Sequence, residues 1–200
     1  MMLIRHAEQP GPGRGSCQSY QGIDVCGNQD SRSLIPQGWQ RAGALAGLFA
    51  SSFGPLPLPQ FWFAPNEFSD TGPSEAGSNG SGTSKRPLET ITPLSLKLGL
   101  TLTATPGSKT PKQYAKTDYP QMRDDALGCP GVVLISWEHG EIPQIANQIL
   151  GSEKISPPSW PSERFDMVWV FDLHTANNSY SFNQVPQPVL KGDIPTPIFG

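Results

Sequence analysis

Val132-Val133-Leu134-Ile135-Ser136-Trp137, running directly into Glu138-His139-Gly140, is the stretch on which the reading of the fold turns. The run is apolar, rich in β-branched residues and too short for a helix, so it reads as a buried strand. Beyond it Ile142, Ile145, Ala146 and Ile149 recur every three or four residues, the spacing of one helical face. A buried strand that turns into a helix is half of a layered α/β unit, and the turn between them holds a glutamate and a histidine. Catalytic groups often sit at such strand ends.

Working outward, Met2-Leu3-Ile4-Arg5 is a second short apolar run closed by polar residues, and it predicts another buried strand. Trp39, Ala42, Leu45, Ala46 and Phe49 predict a helix over 36–52, with Pro36 suited to its first turn. Residues 60–64 (QFWFA) form a compact aromatic strand, and Leu88, Ile91, Leu94 and Leu98 mark a second helical stripe. Pro93 cannot donate a backbone hydrogen bond and is expected to kink or split that helix, which Gly99 should end. A polar helix is expected within 111–127, a strand over 165–173, and a returning strand over 180–185 after an Asn177-Asn178 turn. Strands alternating with helices predict an α/β fold: a three-layer sandwich, its sheet mostly parallel, with helices on both faces. Residues 9–33 read as a long loop. The Gly- and Ser-rich stretch 65–83 reads as a flexible insertion, its part from Gly72 to Thr83 as a mobile surface segment.

At 200 residues the chain is expected to form a single domain, residues 1–200, with enough core to need neither disulfides nor metals. Its 22 prolines and 21 glycines imply long loops rather than wholesale disorder. The formal net charge is −3 and its 14 basic residues form no run of four, so a polyanionic backbone finds no electrostatic footprint and nucleic acid is not expected as a partner. No apolar run approaches the ~20 residues of a membrane-spanning helix. Arg5 and His6 interrupt the N-terminus before a secretory core can form, so the expected location is cytoplasmic. Cys17, Cys26 and Cys129 are odd in number with no C-x-x-C pair, and they read as free or buried thiols. His6, His139 and His174 lack any metal-ligand spacing, so neither a metal nor another cofactor is expected.

Four blocks carry a family resemblance. Leu3-Ile4-Arg5-His6-Ala7-Glu8 resembles the "Arg-His-Gly" signature on the first strand of the histidine phosphatase superfamily, the phosphoglycerate mutase-like fold, in its branch 1. Residues 34–42 (LIPQGWQRA) look like that family's "L-T-x-x-G-x-x-Q-A" helix start. Residues 84–90 (SKRPLET) look like its "S-x-x-x-R-x-x-x-T" segment, and residues 133–140 are similar to the late strand ending in the second histidine. The blocks occur in the family's order across residues 3–150. Two departures stand out: Ala7 occupies the glycine position, and no clear copy of the family's acidic motif lies between Arg86 and His139.

The resemblance implies a phosphomonoesterase acting on a small phosphorylated metabolite through a phosphohistidine on His6. A phosphate monoester carries about two negative charges, so its cleavage calls for cationic, multi-donor clamps. Arg5 and Arg86 would supply bidentate forks, and His139 would steady the phosphoryl oxygens. No metal is then required. Two other readings remain open: a phosphotransferase or mutase of the same fold, and a non-catalytic phosphate-binding regulatory module. His174, without a motif of its own, reads as structural.

The leaving oxygen also needs a proton, and the acids between Arg86 and the end of the site are Glu89, Asp118, Asp124, Asp125, Glu138 and Glu141. Glu138 adjoins His139 at the mouth of the strand and is the expected donor, with Asp118 and Glu141 behind it. Should Arg86 prove remote, Arg14, Arg32 and Arg41 remain as the second clamp. Neither the physiological substrate nor the oligomeric state is written in the sequence.

Overall fold

The computed structural model describes residues 1–12, 19–51, 54, 56–65, 84–99 and 114–199. The elements in chain order are β1 (Met2–Arg5), β2 (Gly11–Pro12), β3 (Ser19–Tyr20), α1 (Pro36–Phe49), β4 (Phe61–Phe63), α2 (Arg86–Leu98), α3 (Tyr119–Leu127), β5 (Val133–Trp137), α4 (Ile142–Leu150), β6 (Met167–His174) and β7 (Ser179–Pro186). The expected insertion beyond residue 65, Arg14 and Cys17 lie outside the described residues.

Every residue of β1 and β5 is buried, as expected of strands covered on both faces. They are neighbours in a five-stranded sheet of order β4-β5-β1-β6-β7, and a separate two-stranded ribbon joins β2 and β3. β4 and β1 both run parallel to β5, whereas β6 runs antiparallel to β1 and to β7. The sheet is therefore mixed: four strands share one direction, as the expected mostly parallel sheet requires, and β6 alone runs against them. The cause is local: β6 and β7 are joined by a short turn with Asn178 at φ 51°, and so tight a link can only close an antiparallel pair.

Alternation along the strands divides the core. Leu3, Val133, Ile135, Trp137, Met167 and Trp169 gather with Met122 and Ala126 of α3 and Ile142, Ile145 and Ile149 of α4. Met2, Ile4, Leu134, Val168 and Val170 gather with Leu45 and Phe49 of α1 and Ile91 and Leu94 of α2. Each fully buried aliphatic side chain in these clusters contributes roughly 1.5–3 kcal/mol.

The helices begin and end where the sequence implies. Pro36 opens α1, and α2 closes on Gly99 at φ 63°, but Pro93 does not split α2. Gly38 permits a close approach that positions the site, because a Cβ there would lie 2.5 Å from the Glu8 carbonyl oxygen. The start of α1 thus rests on the loop that follows β1. Among the described residues no helix is long and apolar enough to cross a membrane.

Candidate active site

Because β1 and β5 are parallel neighbours, the residues just past each strand emerge at the same end of the sheet. Arg5 pairs with Trp137 in register, and the His6 N–H donates to the Trp137 carbonyl at 3.0 Å. Arg5-His6 and Glu138-His139 are therefore brought together by topology, outside the carboxyl ends of parallel strands where α/β folds bind ligands.

His6 is fully buried, and its Nδ1 lies 2.7 Å from the Ala7 carbonyl oxygen. That oxygen can only accept, so Nδ1 carries the proton and Nε2 keeps its lone pair. Burial above all, then the charge of Arg5, pushes the imidazole pKa down to about 3, so the ring is neutral at neutral pH. Nε2 is buried without a hydrogen-bond partner among the described residues.

Arg5, 1% exposed, is held from one side only. Its Nη1 donates to the carbonyls of Ser162 and Arg164, and its guanidinium carbon sits 3.8 Å from the centre of the Phe165 ring. Nε and Nη2 are buried with no partner among the described residues. Burial lowers its pKa to about 10, with Glu138 and Glu8 opposing, so the guanidinium stays charged at neutral pH. Its support is itself anchored: the Arg164 carbonyl accepts from Trp160 Nε1, and the Arg164 side chain bonds Asp166 and the carbonyls of Ile194 and Thr196.

Arg86 begins α2. Its Nη1 donates to Gln9 Oε1 at 3.1 Å and Nη2 to the Ser31 carbonyl at 3.0 Å, while Nε is buried without a partner among the described residues. Burial lowers its pKa, opposed by Glu89, Asp30 and Glu138. One turn on, Thr90 Oγ1 donates to the Arg86 carbonyl at 2.7 Å and accepts the Ala7 N–H at 2.8 Å, tying the second arginine to the histidine loop. Arg5 and Arg86 both act electrostatically on His6, which places the three within one field.

His139 follows β5 and is 27% exposed, with Nδ1 2.6 Å from Glu138 Oε1. Glu138 Oε2 lies 3.0 Å from Lys116 Nζ and accepts the Gly140 N–H at 3.2 Å. Hydrogen bonding to His139, together with contacts to Glu141 and Lys116, outweighs burial and holds the Glu138 carboxyl far below the usual carboxylate range. The side chain expected as proton donor is thus ionised at rest. Glu141, by contrast, is pushed up to about 7 by burial and by the adjoining Glu138 carboxyl.

The other acids are committed elsewhere. Glu89 accepts the Leu34 N–H, Asp118 accepts the Ala115 N–H, Asp125 accepts from the Tyr114 hydroxyl, and Asp124 pairs with Arg123. Arg41, held in reserve as a clamp, is saturated by Glu8 and Asp193, and Arg32 pairs with Asp30. His174 is exposed at the end of β6, which runs antiparallel to β1 and so ends at the opposite end of the sheet from His6.

Phe165, Gln9, Ser31 and Lys116 escape a reading of motifs. Gln9 was within reach, since it lies just beyond the Arg-His block. The other three come from segments distant in sequence and carry no pattern of their own.

No protein-family model matches the sequence, and no curated protein matches it. Among solved structures, the native form of a mycobacterial glucosyl-3-phosphoglycerate phosphatase matches with a TM-score of 0.50 at 12% identity, over 94% of this chain and 97% of that one. Its complex with VO3 gives 0.48 at 12% identity, over 92% of this chain and 96% of that one. Its complex with inorganic phosphate gives 0.46 at 11% identity, over 94% and 95%. The likeness to the native form is one of fold alone.

Proposed function

We propose that this chain is a metal-independent phosphomonoesterase of a small phosphorylated metabolite, working through a phosphohistidine on His6. The architecture is read as a three-layer sandwich, the two core clusters lying on opposite faces of the sheet. One observation carries the functional reading: His6 Nε2, Arg5 Nε and Nη2, and Arg86 Nε are all buried and lack partners among the described residues. Buried polar atoms are normally satisfied, and a lone pair flanked by unused guanidinium donors is complementary to a phosphoryl group. The neighbour of like fold is a glucosyl-3-phosphoglycerate phosphatase, which agrees with this chemistry.

In this mechanism Arg5 and Arg86 hold the phosphoryl oxygens, and neutral His6 attacks phosphorus in line through Nε2. The Nδ1–H bond to the Ala7 carbonyl fixes the tautomer that makes attack possible. His139 steadies the equatorial oxygens, and Glu138 meets the leaving oxygen. Water then hydrolyses the phosphohistidine. The protein's own cations supply the charge stabilisation, so no metal is assigned a step.

The test is hydrolysis of p-nitrophenyl phosphate by wild type and His6→Ala. Wild-type turnover that disappears in a folded His6→Ala variant supports the reading. Full activity in the variant overturns it.

A further inference from the structure

The end of β5 holds a cluster larger than a single acid requires. Glu138 and Glu141 lie one turn apart, the Glu141 N–H donating to the Glu138 carbonyl at 3.2 Å. Their carboxyls converge on one ammonium, that of Lys116, and come within interacting range of each other. Lys116 reaches both, 3.0 Å from Glu138 Oε2 and 3.4 Å from Glu141 Oε1. Glu141 Oε2 is buried with no hydrogen-bond partner among the described residues, a setting that disfavours the charged carboxylate. Glu138 in turn acts electrostatically on Arg5, His6 and Arg86, so the pair shares the field of the phosphoryl site.

Resting on the phosphatase reading above, we propose that Glu138 and Glu141 form one acid, a carboxyl pair sharing a single proton that Glu138 delivers to the leaving oxygen and Glu141 stores. Glu138 is the catalytic residue of the two. Glu141 and Lys116 are positioning residues.

The step balances. As His6 Nε2 bonds to phosphorus, the bond from phosphorus to the leaving oxygen breaks and that oxygen takes the pair's proton, leaving as an alcohol. The pair is then doubly negative, a state Lys116 stabilises. In the second step water gives a proton back to the pair as its oxygen bonds to phosphorus. The bond from phosphorus to Nε2 breaks, phosphate departs and His6 is neutral again. One proton held by two neighbouring carboxyls is what like-charge repulsion favours, and the pair titrates as a unit. The charged and titratable groups about Glu141 are Glu138 and His139 after β5 and Lys116 before α3. Tyr119 of α3 bonds Gln144 on α4 nearby.

The experiment compares a simple alkyl phosphate, whose leaving group needs a proton, with p-nitrophenyl phosphate, whose leaving group does not. In wild type, kcat/KM for the alkyl ester should fall above about pH 7, where the pair loses its proton, and the aryl ester should lack that limb. Glu141→Gln should lower the alkyl rate at least tenfold more than the aryl rate at pH 6 and abolish the limb. Lys116→Met, at a half-exposed side chain, should move the limb upward, and this readout holds even if Glu141→Gln folds poorly. Wild-type ratios and pH profiles in both variants would overturn the shared-proton pair and leave the phosphatase reading standing. Failure of wild type to hydrolyse either ester overturns that reading and the pair with it.

Discussion

Replacing Arg41 by methionine puts a number on how the histidine loop is anchored. Arg41 is buried in α1 and spans two carboxylates: Nε and Nη2 bond Glu8 Oε1 at 3.0 and 2.8 Å, and Nη1 and Nη2 bond Asp193 at 3.1 and 2.6 Å. Glu8 lies two residues past His6, so the clamp joins the loop after β1 to the segment around Asp193. Methionine matches the stem and removes the charge, leaving two buried carboxylates without their cation. Breaking a buried pair in this way costs about 3–5 kcal/mol. For a chain of this size that corresponds to roughly 6–20 °C in Tm. Asp193 supplies a pH signature: burial raises its pKa, but hydrogen bonds from Arg41 and from the Leu190 N–H outweigh it, leaving the carboxyl below its usual value. A carboxyl with a depressed folded-state pKa adds stability above its unfolded pKa, near 4, and that stability is lost as pH falls through the lower folded value. Without Arg41 this contribution disappears, so the gap between wild type and Arg41→Met should be widest at pH 7 and narrow in acid. Urea unfolding at pH 7 and again well below pH 4 measures it. A difference below about 1 kcal/mol, constant with pH, refutes the argument that the clamp is a buried, charge-balanced anchor.

Arg86→Ala should lower kcat/KM for p-nitrophenyl phosphate by about 10²–10³, with Arg86→Lys recovering part, because a point charge replaces a planar fork. Thr90→Val should cost roughly 1–3 kcal/mol in urea unfolding, since it strips the buried Ala7 N–H of its acceptor. The His6 ring resonances should not titrate between pH 5 and 8 by NMR, because burial and Arg5 keep the ring neutral down to about pH 3; a midpoint near 6.5 would contradict that. EDTA should leave activity unchanged, and loss restored by a divalent ion would end the metal-independent mechanism.

The elements legible in the sequence are those whose signals are local. β5 is a short apolar run ended by Glu138, and α4 is a clean helical stripe, so both could be read without their neighbours. The hairpin of β6 and β7 was equally visible through Asn177-Asn178, yet its consequence for the sheet was not, because strand direction depends on which strand β6 joins in space. The site divides the same way. Arg5, His6, Arg86 and His139 sit in blocks with recognisable spacing. Phe165, which backs Arg5, comes from 160 residues away and carries no motif. The state of Glu138 lay further still from view: its ionisation is set by His139 first and then by Glu141 and Lys116, and only packing reveals that two acids meet one ammonium.

The central claim, that His6 Nε2 becomes covalently bonded to phosphorus, is tested most directly by rapid acid-free quenching of the enzyme with a radiolabelled phosphomonoester, then peptide mapping. Label is expected on His6, stable in alkali and lost in acid as a phosphoramidate is, and absent from His6→Ala. Label on a serine or carboxylate, or full turnover by His6→Ala, would contradict it.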